Sequence, residues 1–235
     1  MKKIFFILIL FSFVGTNSLS QRKPQNIQNF DDDPLHFGFW LGYTHSSLTV
    51  IRKANYISQD TLYSTASIPT GSFVVGPMMS LNFNQNIHLR TGLFLSFQDR
   101  SMDYNFWIKD TIETFTKKVN SVYTEIPLQL KLRTNRVGNV AFYGLAGIKA
   151  GYDWSSDIKV EDKGNYDDLL KIKRFNFAYQ VGGGIDFFLT YFKFGIDLRL
   201  DLGINNVLYK SDNYFNSPFE KIKTQMWQLS FTFEG

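Results

Sequence analysis

Residues 191–205, YFKFGIDLRLDLGIN, limit most tightly what this chain can fold into. Every second position from Phe192 is apolar: Phe192, Phe194, Ile196, Leu198, Leu200, Leu202 and Ile204. Between them stand Lys193, Gly195, Asp197, Arg199, Asp201, Gly203 and Asn205. A period of two is that of a β-strand, whose successive side chains point to opposite faces. Two environments suit a strand with one apolar and one charged face. A soluble sheet packs the apolar face on a core and leaves the charges in water. An outer-membrane barrel turns the apolar face to lipid and the charges into a polar lumen.

The same alternation recurs and divides the chain into eight predicted strands, at about 36–51, 70–83, 86–102, 119–133, 140–157, 173–189, 191–205 and 222–233. The first opens with Phe37, Phe39, Leu41 and Tyr43 on one face. The second carries Phe73, Val75, Met79, Leu81 and Phe83, with Pro77 inside it, which a β-bulge would accommodate. The last sets Trp227, Leu229, Phe231 and Phe233 against Gln228, Ser230 and Thr232. The links at Asn84-Gln85, Thr134–Asn139 and Thr190-Tyr191 have hairpin length. The links at about 52–69, 103–118, 158–172 and 209–221 are long and polar. Short turns on one side and long loops on the other are the pattern of an outer-membrane barrel. The reading is an all-β, eight-stranded antiparallel up-and-down transmembrane barrel. Its even strand count puts both termini with the short turns, in the periplasm. Tryptophans near strand ends (Trp40, Trp107, Trp154, Trp227) and an aromatic content of 17% favour membrane interfaces. The rival, a soluble eight-stranded barrel, would put its apolar face inward.

The N-terminus agrees with export. MKKIFFILILFSFVGTNSLSQ has a basic start at Lys2 and Lys3, a short apolar run at 4–14, and Ser18-Leu19-Ser20 before Gln21. This reads as a signal peptide over 1–20, the apolar run being too short for a comfortable membrane-spanning helix. Residues 21–35, QRKPQNIQNFDDDPL, read as a flexible periplasmic leader with an Asp31-Asp32-Asp33 run, and 36–235 as the barrel. The absence of cysteine excludes disulfides and thiolate metal sites. The formal charge of +4 falls to +2 without Lys2 and Lys3, too mild for a nucleic-acid partner.

An eight-stranded barrel has an interior just wide enough for side chains. The inward set contains Arg90, Glu125, Lys131, Arg133, Lys149, Asp153, Lys193, Asp197, Arg199 and Asp201. Buried charges must pair, so a cross-strand salt-bridge network that plugs the lumen is expected, and no diffusion pore. Chemistry has little to build on. The three histidines are His36, His45 and His88; His45 beside Ser46-Ser47 is a weak base–nucleophile pair. No metal ligands converge in the sequence, no cofactor is implied, and Gly182-Gly183-Gly184 lacks the helix and lysine of a phosphate loop. Those glycines read as relieving crowding within a strand or allowing the barrel to bend.

The stretches LHFGFWLG (35–42), LRTGLFLSFQDRSMDY (89–104), EIPLQLKLRTNRVGN (125–139), FYGLAGIKAGYD (142–153), 177–208 and the terminal SFTFE together resemble the PorT family of outer-membrane barrels. That family is linked to the type IX (Por) secretion system of the Bacteroidetes. The resemblance implies a non-enzymatic protein of the outer membrane, required for export of cargo with a C-terminal sorting domain and, in gliding relatives, for motility. It implies partners among outer-membrane lipid and other secretion proteins, and offers no catalytic residues. The four long loops and the leader are the expected contact surfaces, with Trp107, Asp110, Asp167 and Asp168 among their residues. The alternative is a stand-alone small barrel serving envelope integrity, adhesion or ligand binding.

Overall fold

The computed structural model describes residues 24–53, 62–108, 111–156, 170–210, 216 and 218–235. The signal peptide, Asp110, Asp167, Asp168 and most of the loop at 158–172 lie outside the described residues. Ten strands are described: β1 (Leu35–Arg52), β2 (Leu62–Ile68), β3 (Thr70–Asn82), β4 (Ile87–Gly92), β5 (Phe94–Ile108), β6 (Thr111–Arg133), β7 (Val140–Asp153), β8 (Phe175–Phe188), β9 (Lys193–Gly203) and β10 (Phe219–Glu234). Every pairing is antiparallel, and β1 pairs with β10 on one side and β3 on the other, so the sheet closes on itself. Pro69 separates β2 from β3, and Leu93 separates β4 from β5. Each pair continues one stave, so the ring has eight staves in up-and-down order.

Pro77 shows how the sheet absorbs a residue without an N–H. The ladder keeps one register on both sides of it, Met78↔Gly92 and Val75↔Leu95, so no bulge forms. Instead the facing strand breaks at Leu93, whose N–H donates to the Pro77 carbonyl (3.2 Å). Proline has no donor to return. Below this point Gly76 and Gly92 leave room for the Phe94 ring, which a Cβ at either position would meet.

The side-chain pattern is inside-out relative to a soluble barrel. Phe37 (63% exposed), Phe142 (57%) and Leu198 (53%) point outward, while Arg90, Arg199 and Asp197 are at most 2% exposed. An outward apolar face is stable only against lipid. The outer face also shows where lipid ends. Along β5 the outward residues are Leu95 and Phe97, then Asp99, Ser101, Asp103 and Asn105; the inward ones are Gln98 and Arg100, then Met102, Tyr104 and Phe106. The two faces exchange polarity where the exterior solvent changes from lipid to water. β1 and β10 change at the same level, where Tyr43 and Leu229 give way to Ser47 and Gln225. Beyond it, Leu48, Tyr104, Phe106, Ile172, Val207, Phe219 and Ile222 form a buried apolar cluster inside the ring.

Five further expectations need correcting. The stretch 103–118 is not a long loop: β5 runs to Ile108 and pairs with β6 from Thr111 onward. Of 52–69, residues 62–68 form β2, held on β5. Trp40 is not at a membrane interface but inside the lumen, 1% exposed. Trp107 sits on the β5–β6 hairpin, past the polar outward residues. Lastly, the described part of the leader, from Pro24, is docked rather than flexible. Phe30 is buried against Ala141 and Phe188, and Asn26 donates to Phe188 O (3.0 Å). Phe30 finds an apolar site at the mouth that a solvated tail would not give it.

The plugged lumen as candidate functional site

The inward side chains fall into layers set by strand register. At the short-turn end, Asp31 of the leader accepts two bonds from the Arg133 guanidinium (3.0 and 2.7 Å) and pairs with Arg136 (3.1 Å). Burial of Asp31 favours its neutral form, but the Arg133 and Arg136 charges outweigh it and hold the carboxyl below its ordinary 3.8. Phe30 stacks on the His36 ring at 3.8 Å, and Lys193 Nζ lies 4.5 Å from the Phe30 ring centroid. His36 Nε2 donates to the Phe30 carbonyl (2.7 Å). The leader thus closes the mouth with one aromatic ring and one carboxylate.

The next layer is an ion cluster across β4, β9 and β10. Arg90 bridges Asp197 (3.4 Å) and Glu234 (3.2 Å), Lys193 also holds Glu234 (2.7 Å), and Arg199 holds Asp197 (3.2 Å). Lys131 pairs with Asp186 (2.7 Å). Tyr143 donates to Asp197 (3.1 Å). Trp40 lies within this cluster, with the Arg199 guanidinium 3.9 Å from its ring centroid. Gly182 and Gly184 provide the space that Arg199 and Tyr143 fill. A second cluster lies toward the loops. Lys149 bridges Glu125 (2.9 Å) and Asp201 (2.7 Å), and amides extend it: Gln98 donates to Glu125 (2.6 Å) and Gln180 to Asp201 (3.0 Å). Above it, the Arg100 guanidinium bonds Gln98 and lies 5.5 Å from the Tyr123 ring centroid.

All ten residues singled out from the sequence are at most 5% exposed. Nine of them make ion pairs within or beside these clusters. Asp153 does not join them; its Oδ1 accepts from Ser155 N (2.9 Å) where β7 ends. Sequence reasoning missed Asp186, Glu234, Asp31 and Arg136. For the first two the signal was present, since both keep the inward parity of their strands. Asp31 and Arg136 lie outside the alternating segments, and no sequence periodicity marks them.

Buried ions cost several kcal/mol each to desolvate, and their pairing roughly offsets this cost. The paired side chains lie buried across the inside of the ring, from β4 to β10 and from β6 to β8. It holds no nucleophile set beside a base. His45 is exposed on the outer face, whereas Ser46 is buried inside; His36 and His88 are buried at the short-turn end. Among the described residues, no cluster of His, Cys, Asp or Glu would hold a metal ion.

A family model described as "Outer membrane protein beta-barrel domain" matches residues 20–209. No curated protein matches the chain. Among solved structures, Ail, the attachment invasion locus protein of Yersinia pestis, is similar at 13% identity and a TM-score of 0.39, over 85% of this chain and 98% of that one. Neisserial surface protein A is similar at 9% identity and 0.40, over 83% and 95%. The outer membrane protease OmpT of Escherichia coli is similar at 10% identity and 0.39, over 85% and 93%.

Proposed function

This chain belongs to the outer membrane protein beta-barrel domain family, and from that premise we propose that it is a non-enzymatic accessory component of type IX protein secretion. In this reading it sits in the outer membrane with its short turns, leader and both termini in the periplasm. Residues 1–20 are removed on export, 21–35 form the periplasmic leader, and 36–235 form the barrel. It takes part in export of cargo bearing a C-terminal sorting domain without being the conduit.

The observation that carries the non-conduit role is the filled lumen. The clusters at Glu234 and Lys149 lie between the Phe30–Asp31 closure and the apolar cluster at Tyr104 and Phe106. A protein that passes nothing through its middle acts through its surfaces. Those are the docked leader at one end and the β5–β6 hairpin and remaining loops at the other. The resemblance of 89–104, 125–139 and 177–208 to the PorT family supplies the secretion system.

A comparison of the proteins secreted by a deletion strain, its parent and a complemented strain tests this. Loss of sorting-domain cargo from the medium, with accumulation in the periplasm, is the expected result. An unchanged set of secreted proteins would overturn it and leave the stand-alone small barrel, which the outward apolar band supports equally well.

A further inference from the structure

The outer face of the barrel is not uniform near the loop-side edge of the apolar band. Across β6, β7 and β8 the register aligns Ile126, Ala150 and Phe177 in one row. A methyl group therefore stands between two large side chains, and a notch opens over it. The row above is Thr124, Tyr152 and Phe175. Tyr152 meets Phe175 at 5.1 Å between centroids and Trp154 at 5.0 Å, both edge to face. Trp154 Nε1 donates to Thr124 Oγ1 (2.8 Å), which fixes the indole as a roof. The notch is an open surface recess of about 410 Å³ with almost wholly apolar walls.

Past Phe175 the surface continues into a second open recess of about 580 Å³, whose walls are also mostly apolar, so that any charge it offers lies at its rim. Its rim carries Lys173, which is exposed, and Arg174, whose Nη1 donates to Tyr152 Oη (3.4 Å) on the aromatic roof. Asn205 pins the adjoining backbone by bonding Phe177 N and Phe175 O (2.8 Å each). The depth is that of the interface, because on β6 the next outward residues toward the loops include Asn120 and Lys118. Aromatic side chains at headgroup level with cations just beyond them match a lipid's own division into tail and phosphate.

We propose that the Ala150 notch and the Lys173–Arg174 recess bind one phosphorylated acyl lipid of the surrounding leaflet. Its tail lies on Ala150 between Ile126 and Phe177, and its phosphate meets the two cations. With the long loops outside, this leaflet is the outer one and the lipid is a phosphorylated glycolipid. Charge complementarity selects it over a zwitterionic lipid, whose own cation would face Lys173 and Arg174.

The test refolds the full chain into phosphatidylcholine nanodiscs doped with lipid A or with its dephosphorylated form. Lipid retained after release into mild detergent is then counted by native mass spectrometry. Wild-type protein is expected to keep one phosphorylated lipid A and to keep the dephosphorylated form about thirtyfold less, since each of the two cations near the surface contributes roughly 1 kcal/mol. Ala150→Phe fills the notch, and the Lys173→Gln/Arg174→Gln pair removes the rim. Both changes lie on the outer surface, and heat-modifiable migration confirms that each variant is folded. Each is expected to retain lipid A no better than phosphatidylcholine. Equal retention of the two lipid A forms by wild-type protein, or undiminished retention by both variants, would overturn the proposal and leave only ordinary boundary lipid. The choice of lipid rests on the orientation proposed above, with the long loops outside, and the outcome is independent of the secretion role.

Discussion

Lys131 and Asp186 face each other at 2.7 Å in the lumen, both at most 2% exposed, with the Tyr143 ring beside the ammonium. Neither ion would remain buried without the other. Lys131→Ala should therefore destabilise the barrel by about 3–5 kcal/mol, because it strands a carboxylate. Lys131→Met combined with Asp186→Leu should cost much less, since no uncompensated charge remains. Urea unfolding in lipid vesicles measures both; equal losses for the single and double variants would show that the pair is not what holds this layer. Residues of this kind were largely legible in the sequence. The parity that places Phe194, Ile196 and Leu198 in lipid places Lys193, Asp197 and Arg199 in the lumen. What parity does not give is partner choice, which depends on register across the ring. It is register that brings Arg90 of β4 to Glu234 of β10. Trp40 has the inward parity too, but its residue type suggested an interface.

The β5–β6 hairpin shows a limit of reading elements from alternation. A strand was expected to end near residue 102, because the apolar residues of its outward face stop at Phe97. The period of two continues, but the apolar set changes face: Met102, Tyr104 and Phe106 point into the ring. A strand that leaves lipid for water inverts its pattern, and a search for one apolar face reads the inversion as a loop. The hairpin stands because its inward aromatics pack with Phe219 and Leu48. Phe106→Ala should remove about 3–5 kcal/mol of packing. Hydrogen exchange should then speed up across 101–118 while 126–133 stays protected by the lipid-embedded ladder. Uniform exchange in both segments would show that the hairpin and barrel form one cooperative unit, contrary to this account. The leader was misread for a related reason. Its polar composition hides Phe30, for which β7 and β8 build a site with Ile27 packed beside it.

At the scale of the whole molecule, the closed ring, its apolar outer band and the side with the short turns were all legible from strand count and link length. The two closures were not. One is a tertiary contact of a polar segment, and the other is made by residues assigned to loops. In the reading proposed here, they and the ion clusters together fill the lumen, and the protein acts through its surfaces. A barrel filled in this way passes nothing through its middle. Planar-bilayer recording of the purified, refolded full-length protein tests this most directly. The account expects no stable open-channel conductance at neutral pH, with at most brief flickers as the leader moves. A large, steady, voltage-independent conductance would contradict it, because the ion clusters would then have to leave an aqueous path through the lumen.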